Sequence, residues 1–169
     1  MLGHTHDILH HELQGFDVFK YTDIRFNFFG EKSREIVFKL VFCKQNEFCN
    51  SILKQFCGDE LKSPIISAVS FYNVKAEDND QCNSLFEKPP DAPNLSASEA
   101  LYVYHTLVDI ILRIADYESI DILTFQAYSE KLRRVYDRLV KKYAKSKNLQ
   151  VHAEGAFYVI WTRKKYDGH

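Results

Sequence analysis

From Thr22 onward apolar and polar residues alternate: Ile24, Phe26 and Phe28 are separated by Arg25 and Asn27. A period of two is the signature of a strand with one buried face. Gly30-Glu31-Lys32-Ser33 follows as a turn, and Glu35-Ile36-Val37-Phe38-Lys39-Leu40-Val41-Phe42 as a second strand. Two such runs joined by a glycine-containing loop predict a β-hairpin over 22–44.

The rest of the chain supplies alternating helices and strands. Phe48, Ile52 and Phe56, four apart and stopped by Gly58, predict a short helix over 46–57. Ile65 to Val74 reads as a strand introduced by Pro64, and a long acidic, proline-containing connection runs from Ala76 to Leu95. Connections of that length inside compact domains are functional or disordered, and both readings stay open. Ser96-Ala97-Ser98-Glu99 fits a capping box, in which each side chain satisfies a backbone N–H at a helix start. The helix that follows, 98–116, is apolar nearly all round and is expected to be covered on most sides as the central, most buried helix. Ile120 to Ala127 is a strand, and Ser129 is placed to cap a helix over 129–146. Leu132, Val135, Tyr136, Leu139, Val140 and Tyr143 form its apolar stripe; Lys131, Arg134, Arg138, Lys141, Lys142 and Lys145 occupy the other face. Two last strands, 149–153 and 156–164, are divided at Gly155. Residues 4–15 read as a short helix or irregular arm. The domain plan is thus an N-terminal arm or helix over 1–21 and one domain over 22–166.

Composition sets the class. At 169 residues, 46% hydrophobic, with 13 Phe and 10 Tyr, the chain can bury a substantial core and is not a disordered one. No apolar stretch approaches the roughly 18 residues that a membrane helix needs, and the N-terminus lacks the basic flank and apolar run of a secretory signal. Cys43, Cys49, Cys57 and Cys82 contain no C-x-x-C pair, which argues against a zinc ribbon and for reduced thiols in a cytoplasmic protein. His6 and His10 would share a helical face at i, i+4, but no carboxylate or cysteine cluster completes a ligand set. No metal site is therefore assigned. His105 reads as a satisfied core histidine, and His152 shares a strand face with Glu154.

The succession strand–strand–helix–strand–helix–strand–helix–strand–strand resembles the GNAT N-acetyltransferase fold. The local match is Ser129-Glu-Lys-Leu-Arg-Arg-Val-Tyr136-Asp-Arg-Leu. Ser129 stands where that superfamily has an Asn at a strand-to-helix junction, Leu132 at its Ala and Tyr136 at its Tyr. Phage-encoded GNAT-like proteins are similar as well, which implies an accessory protein of a phage or mobile element. The resemblance implies an α+β fold of three layers, a mostly antiparallel mixed sheet flanked by helices. It also makes Tyr136 the candidate general acid of an acyl-CoA-dependent N-acyltransferase, a role open to a phenol that keeps its proton at neutral pH. The plainer reading of Tyr136 is core, since it lies on the apolar stripe.

One departure bears on the chemistry. The superfamily cradles the acetyl-CoA pyrophosphate in a glycine-rich loop at a helix start, where free N–H groups and the helix dipole hold phosphate. The six glycines here are at 3, 15, 30, 58, 155 and 168, none between strand 65–74 and helix 98–116. Pro89, Pro90 and Pro93 stand there instead, each without an N–H. The leading expectation is therefore a degenerate GNAT-like domain that needs no cofactor and binds another macromolecule; acetyl-CoA belongs to the alternative only.

Charge points to where that binding would occur. Residues 1–128 carry 11 Lys/Arg against 19 Asp/Glu, a net of −8, whereas 129–165 carry 11 against 3, a net of +8. Ser129, Lys131, Arg134, Arg138, Lys142 and Lys145 are the candidate binding residues. Three readings stay open for this face: solvated surface; contact with an acidic protein or the acidic part of a second copy; and nucleic acid, with Tyr128 and Trp161 as stacking residues. A protein partner leads, a homo-oligomer and nucleic acid follow, and no membrane is expected.

Overall fold

The structure, a computed structural model, describes residues 3–10, 12–16, 18–45, 65–77 and 92–162. It is a mixed α+β fold: an eight-stranded, mostly antiparallel sheet with two helices. In chain order the elements are β1 (Gly3–Ile8), β2 (Gln14–Phe16), β3 (Phe19–Phe29), β4 (Arg34–Gln45), β5 (Ile66–Asn73), α1 (Ala97–Tyr117), β6 (Ile122–Gln126), α2 (Glu130–Ser146), β7 (Gln150–Glu154) and β8 (Phe157–Trp161). The strand order is β1-β3-β4-β5-β6-β8-β7, with β2 paired to β3 beside that path. The chain divides into two compact units, Met1–Phe42 with Ser70–Val108, and Cys43–Val69 with Asp109–His169; residues 22–166, expected as one domain, contribute to both.

In the first unit the alternation becomes a hairpin. Thr22, Ile24, Phe26 and Phe28 are buried on β3, and β4 follows after the exposed turn 30–33. Tyr102 of α1 meets Phe26 edge-on with ring centroids 6.0 Å apart, and Tyr104 meets Phe71 of β5 at 6.0 Å. Each fully buried side chain of this size contributes about 1.5–3 kcal/mol. The capping box forms as expected: Glu99 N–H donates to Ser96 Oγ at 3.1 Å, and Ser96 N–H to Glu99 Oε1 at 2.9 Å. Arg34, at the start of β4, grips both carboxylate oxygens of Glu99 and donates to the Asn94 carbonyl at 2.8 Å. A sequence motif for starting a helix thereby also ties it to the hairpin.

The expectation of a short helix or irregular arm over 4–15 is corrected. β1 runs antiparallel to β3, from Gly3 opposite Phe29 to Ile8 opposite Ile24, and β2 pairs Gln14–Phe16 with the start of β3. The reason is backbone pairing: an eleven-residue strand leaves a row of N–H and C=O groups that need partners. Few apolar residues mark β1, so its pairing left little trace in the hydrophobic pattern. Gly15 takes φ +109° and approaches Phe19 so closely that a Cβ there would lie 2.3 Å from the Phe19 carbonyl oxygen. Only glycine fits.

In the second unit β5 and β6 are parallel, pairing Ile66–Ala68 with Ile122–Thr124; β6 and β7 each run antiparallel to β8. Ile66, Ile122, Val159 and Trp161 form its core cluster, with Phe157 packed against it. Three successive residues of β6 are buried, Ile122, Leu123 and Thr124, as expected of a strand covered on both faces. Gly155 takes φ +61° in the two-residue loop between β7 and β8, a conformation open to glycine without a steric penalty.

Both helices stop without glycine. Ser119 and Asn148 adopt φ 57° and 53°, and the next N–H in each case reaches back five residues, Ile120 to the Ala115 carbonyl and Leu149 to the Ala144 carbonyl. This is the Schellman arrangement with an apolar residue after the left-handed one. Helix α1 is the more buried of the two described helices: Val103, Thr106, Leu107, Ile110, Ile111 and Ala115 are buried on it, and Leu139 and Tyr143 on α2. One face of α1 stays open: Leu101 is 54% exposed, and Asp109, Arg113 and Asp116 face solvent. The expected helix over 46–57 and most of the connection 76–95 lie outside the described residues.

The Glu99 network makes stability depend on pH. Its carboxyl is held below the usual carboxylate range chiefly by the hydrogen bond from Arg34, then by the Ser96 N–H. Glu77 is likewise lowered, first by the Tyr72 hydroxyl. A folded-state pKa below the unfolded value contributes stability that is present above the unfolded pKa and lost as pH falls through the folded one. Urea midpoints should therefore hold near neutral pH and decline below about pH 4. Arg34→Met should lower the neutral-pH midpoint and flatten that decline; an unchanged profile would contradict the assignment.

Candidate functional site

Helix α2 begins where its residues require. Ser129, extended at φ −149°, accepts the Leu132 N–H on its Oγ at 3.1 Å. Glu130 lies in the first turn and Lys145 in the last, each on the end that the helix dipole favours. Leu139 and Tyr143 are buried, and Leu132, Val135, Tyr136 and Val140 are half-buried. Lys131, Arg134, Arg138, Lys141, Lys142 and Lys145 are all exposed.

The exposed cations form a continuous stripe. Positions 131, 134, 138, 142 and 145 advance by three or four residues, so they share one side over about 21 Å of helix. Among the described residues Lys131, Arg134, Arg138, Lys141 and Lys145 enter no ion pair, whereas their neighbour Arg133 approaches Glu130 at 3.8 Å. Like charges at these spacings destabilise a helix by about 0.2–0.5 kcal/mol per pair. The stripe therefore carries an electrostatic cost that an anionic surface would relieve.

Tyr136 lies on the other side of the helix from Arg134 and Arg138. Its ring meets Phe125 of β6 edge-on at 6.5 Å and Tyr158 of β8 at 5.8 Å. Tyr158 is fully buried; its hydroxyl donates to Asp137 Oδ1 at 2.5 Å, with the Arg133 carbonyl 3.2 Å away. Burial, then the Asp137 contact, raises the Tyr158 pKa well above that of an ordinary phenol, so it keeps its proton. The structure thus gathers the basic candidates on one face, puts Ser129 into a cap, and separates Tyr136 from the cations.

A second cluster, in the first unit, escaped sequence reasoning. Lys39 of β4 lies 3.3 Å from Glu77 and 4.0 Å from Asp23 of β3, with its ammonium 4.4 Å from the centre of the Tyr21 ring. Asp23 also approaches His10 Nε2 at 3.2 Å, and Glu77 accepts the Tyr72 hydroxyl at 2.6 Å. The signal was present as Tyr21, Asp23 and Lys39 at the polar positions of two alternating strands. Alternation assigns such positions to the outer face of a sheet, but it does not reveal that the residues lie side by side.

The histidines are dispersed by the strand that replaces the expected helix. His4 stacks on Tyr102 with centroids 3.9 Å apart, and His6 Nδ1 is 2.5 Å from the Tyr102 hydroxyl, while His10 is with Asp23. Among the described residues no group of three or more His, Cys, Asp or Glu side chains converges on a point. His105 is half-buried, and His152 lies 3.6 Å from Glu154. No helix of the described residues is long and apolar enough to cross a membrane.

The two faces of α2 should respond differently to truncation. Tyr136→Ala removes two aromatic contacts and is expected to cost about 2 kcal/mol; Arg134→Ala should stay within about 0.5 kcal/mol. Urea unfolding of both variants checks this, and a silent Tyr136→Ala would contradict the packing. Comparison of the chain with family models, with curated proteins and with solved structures finds no match in any of the three.

Proposed function

We propose that this chain is a degenerate GNAT-like domain that binds an acidic protein through the basic face of α2, without acetyl-CoA chemistry. The observation that carries the reading is the exposed basic face of Lys131, Arg134, Arg138, Lys142 and Lys145, of which Lys131, Arg134, Arg138 and Lys145 enter no ion pair among the described residues. The opposite face of α2 anchors the helix through Leu139 and Tyr143, so the stripe is presented on a fixed element. Support for the GNAT-like relationship comes from the succession β5, α1, β6, α2, β7, β8, with β5 and β6 parallel. Support for a missing cofactor comes from the glycine-free, proline-containing connection before α1.

A protein partner is favoured over nucleic acid by the rest of the chain. Residues 1–128 carry a net of −8, and a long polyanion would feel that field as well as the stripe. A compact acidic protein, or the acidic part of a second copy, engages the stripe alone. The reading puts the protein in the cytoplasm. The second reading, an N-acyltransferase with Tyr136 as general acid, draws on the position of Tyr136 two turns after the Ser129 cap.

Reversing Arg134 and Arg138 to Glu tests the proposal. Both are exposed, and surface charges contribute under about 1 kcal/mol each, so the melting temperature should be retained. A partner identified by pull-down from the native host and mass spectrometry should be acidic, should bind the purified wild type less tightly as salt rises, and should be lost by the double variant. A variant that keeps both its fold and its partner would reduce the face to solvated surface. Recovery of nucleic acid in place of protein would overturn the choice of partner.

Isothermal titration with acetyl-CoA separates the two readings. No binding in the low-micromolar range is expected. A low-micromolar dissociation constant, about −8 kcal/mol, would favour the enzyme, and Tyr136→Phe would then show whether the phenol takes part.

A further inference from the structure

In the second unit, the C-terminal half of α1 and the turn after α2 border a groove of about 550 Å³. That size is within the range of small-molecule sites, roughly 300–1,000 Å³. Half-buried Leu112 and Leu149 give it an apolar lining, and exposed Asp109, Arg113, Asp116 and Lys147 surround them.

The charges are arranged unusually. Asp109, Arg113 and Asp116 are at i, i+4 and i+7 on α1, the spacing at which opposite charges ordinarily pair along a helix. Among the described residues Arg113, Asp116 and Lys147 nonetheless enter no ion pair, and Asp109 accepts a hydrogen bond from the Tyr143 hydroxyl at 3.2 Å. Asp116 also lies in the last turn of α1, a turn that holds no basic residue. The helix dipole disfavours a carboxylate there. Two carboxylates and two cations thus surround an apolar lining with their charges largely uncompensated. A single ion would be attracted by one pair and repelled by the other.

We propose that this groove binds a small zwitterion, a free α-amino acid or a dipeptide with an apolar side chain. The ammonium lies against Asp116, the carboxylate against Arg113 and Lys147, and the side chain over Leu112 and Leu149. Arg113 and Asp116, three residues apart, are separated by about 4.5 Å along the helix axis, a span that suits the two ends of an amino acid. Tyr143 holds the Asp109 carboxylate in place; burial and that neighbouring charge push its pKa up to about 12, so it remains a donor at neutral pH. The site is independent of the basic stripe, which uses the opposite side of α2.

Titration of the ¹⁵N-labelled chain, followed through its amide resonances, tests the assignment. L-leucine and L-leucyl-L-leucine should each cause saturable shifts confined to 109–116 and 147–149, in the millimolar range or tighter, and their relative affinities decide between amino acid and dipeptide. Isoamylamine and 4-methylpentanoate, each carrying one of the two charges, should bind at least about tenfold more weakly. Arg113→Gln should erase the preference for L-leucine over the amine, and Asp116→Asn its preference over the acid. Both residues are exposed, so both variants should keep the wild-type melting temperature. The proposal is overturned by any of three results: no saturation even at tens of millimolar, equal response to the single-charge analogues, or unchanged selectivity in both variants.

Discussion

Asp121 accepts the Ile65 N–H on its carboxylate at 2.8 Å and donates its own N–H to the Ile65 carbonyl at 2.8 Å. Its carbonyl accepts the Thr162 N–H at 3.0 Å, and the Thr162 hydroxyl donates to the neighbouring Ile120 carbonyl. One residue therefore aligns the start of β5, the start of β6 and the end of β8. The alignment matters because β5 and β6 are parallel, and parallel strands cannot be closed by a tight turn. Their register must be held by bonds at the strand ends and by the helix that crosses between them. The core cluster of Ile66, Ile122, Val159 and Trp161 then stacks within the three strands that Asp121 brings level.

The same economy of position shapes α2. Ser129 starts the helix, Tyr136 and Tyr143 fix its inner side, and the repeat of 3.6 residues leaves the cations outward. Tyr136 is held by Phe125 and Tyr158, and packing accounts for its identity without an appeal to catalysis. Lys131, Arg134, Arg138, Lys141 and Lys145 are exposed and enter no ion pair among the described residues. Stability alone would favour interspersed acidic residues at 134, 138 or 142, which would remove the repulsion and add helix-supporting pairs. Their absence leaves the face a row of exposed cations.

Much of the secondary structure was legible because it rests on local rules. The alternation at 22–28 became β3, Ser96 and Glu99 formed their box, and Ser129 capped α2. Both helix ends were less legible, because Ser119 and Asn148 do the work usually given to glycine. β1 was missed for a physical reason: Gly3–Ile8 is held by main-chain hydrogen bonds to β3, and main-chain bonding leaves no side-chain pattern. The candidate site was half legible. Helical periodicity predicted the basic face, but the association of Lys39 with Asp23 and Glu77, and of Arg113 with Lys147 around one groove, arises between elements.

The sequence by itself determined where β3, α1 and α2 begin, which side of each is apolar, and that α2 would display a row of cations, since all of these depend on residues within a few positions of one another. Only the tertiary structure decided that Arg34 would close on Glu99, that β1 would pair with β3, and that unpaired charges of both signs would meet over Leu112 and Leu149. Those outcomes depend on backbone pairing and on the registers of elements far apart in the chain, and no local periodicity encodes them.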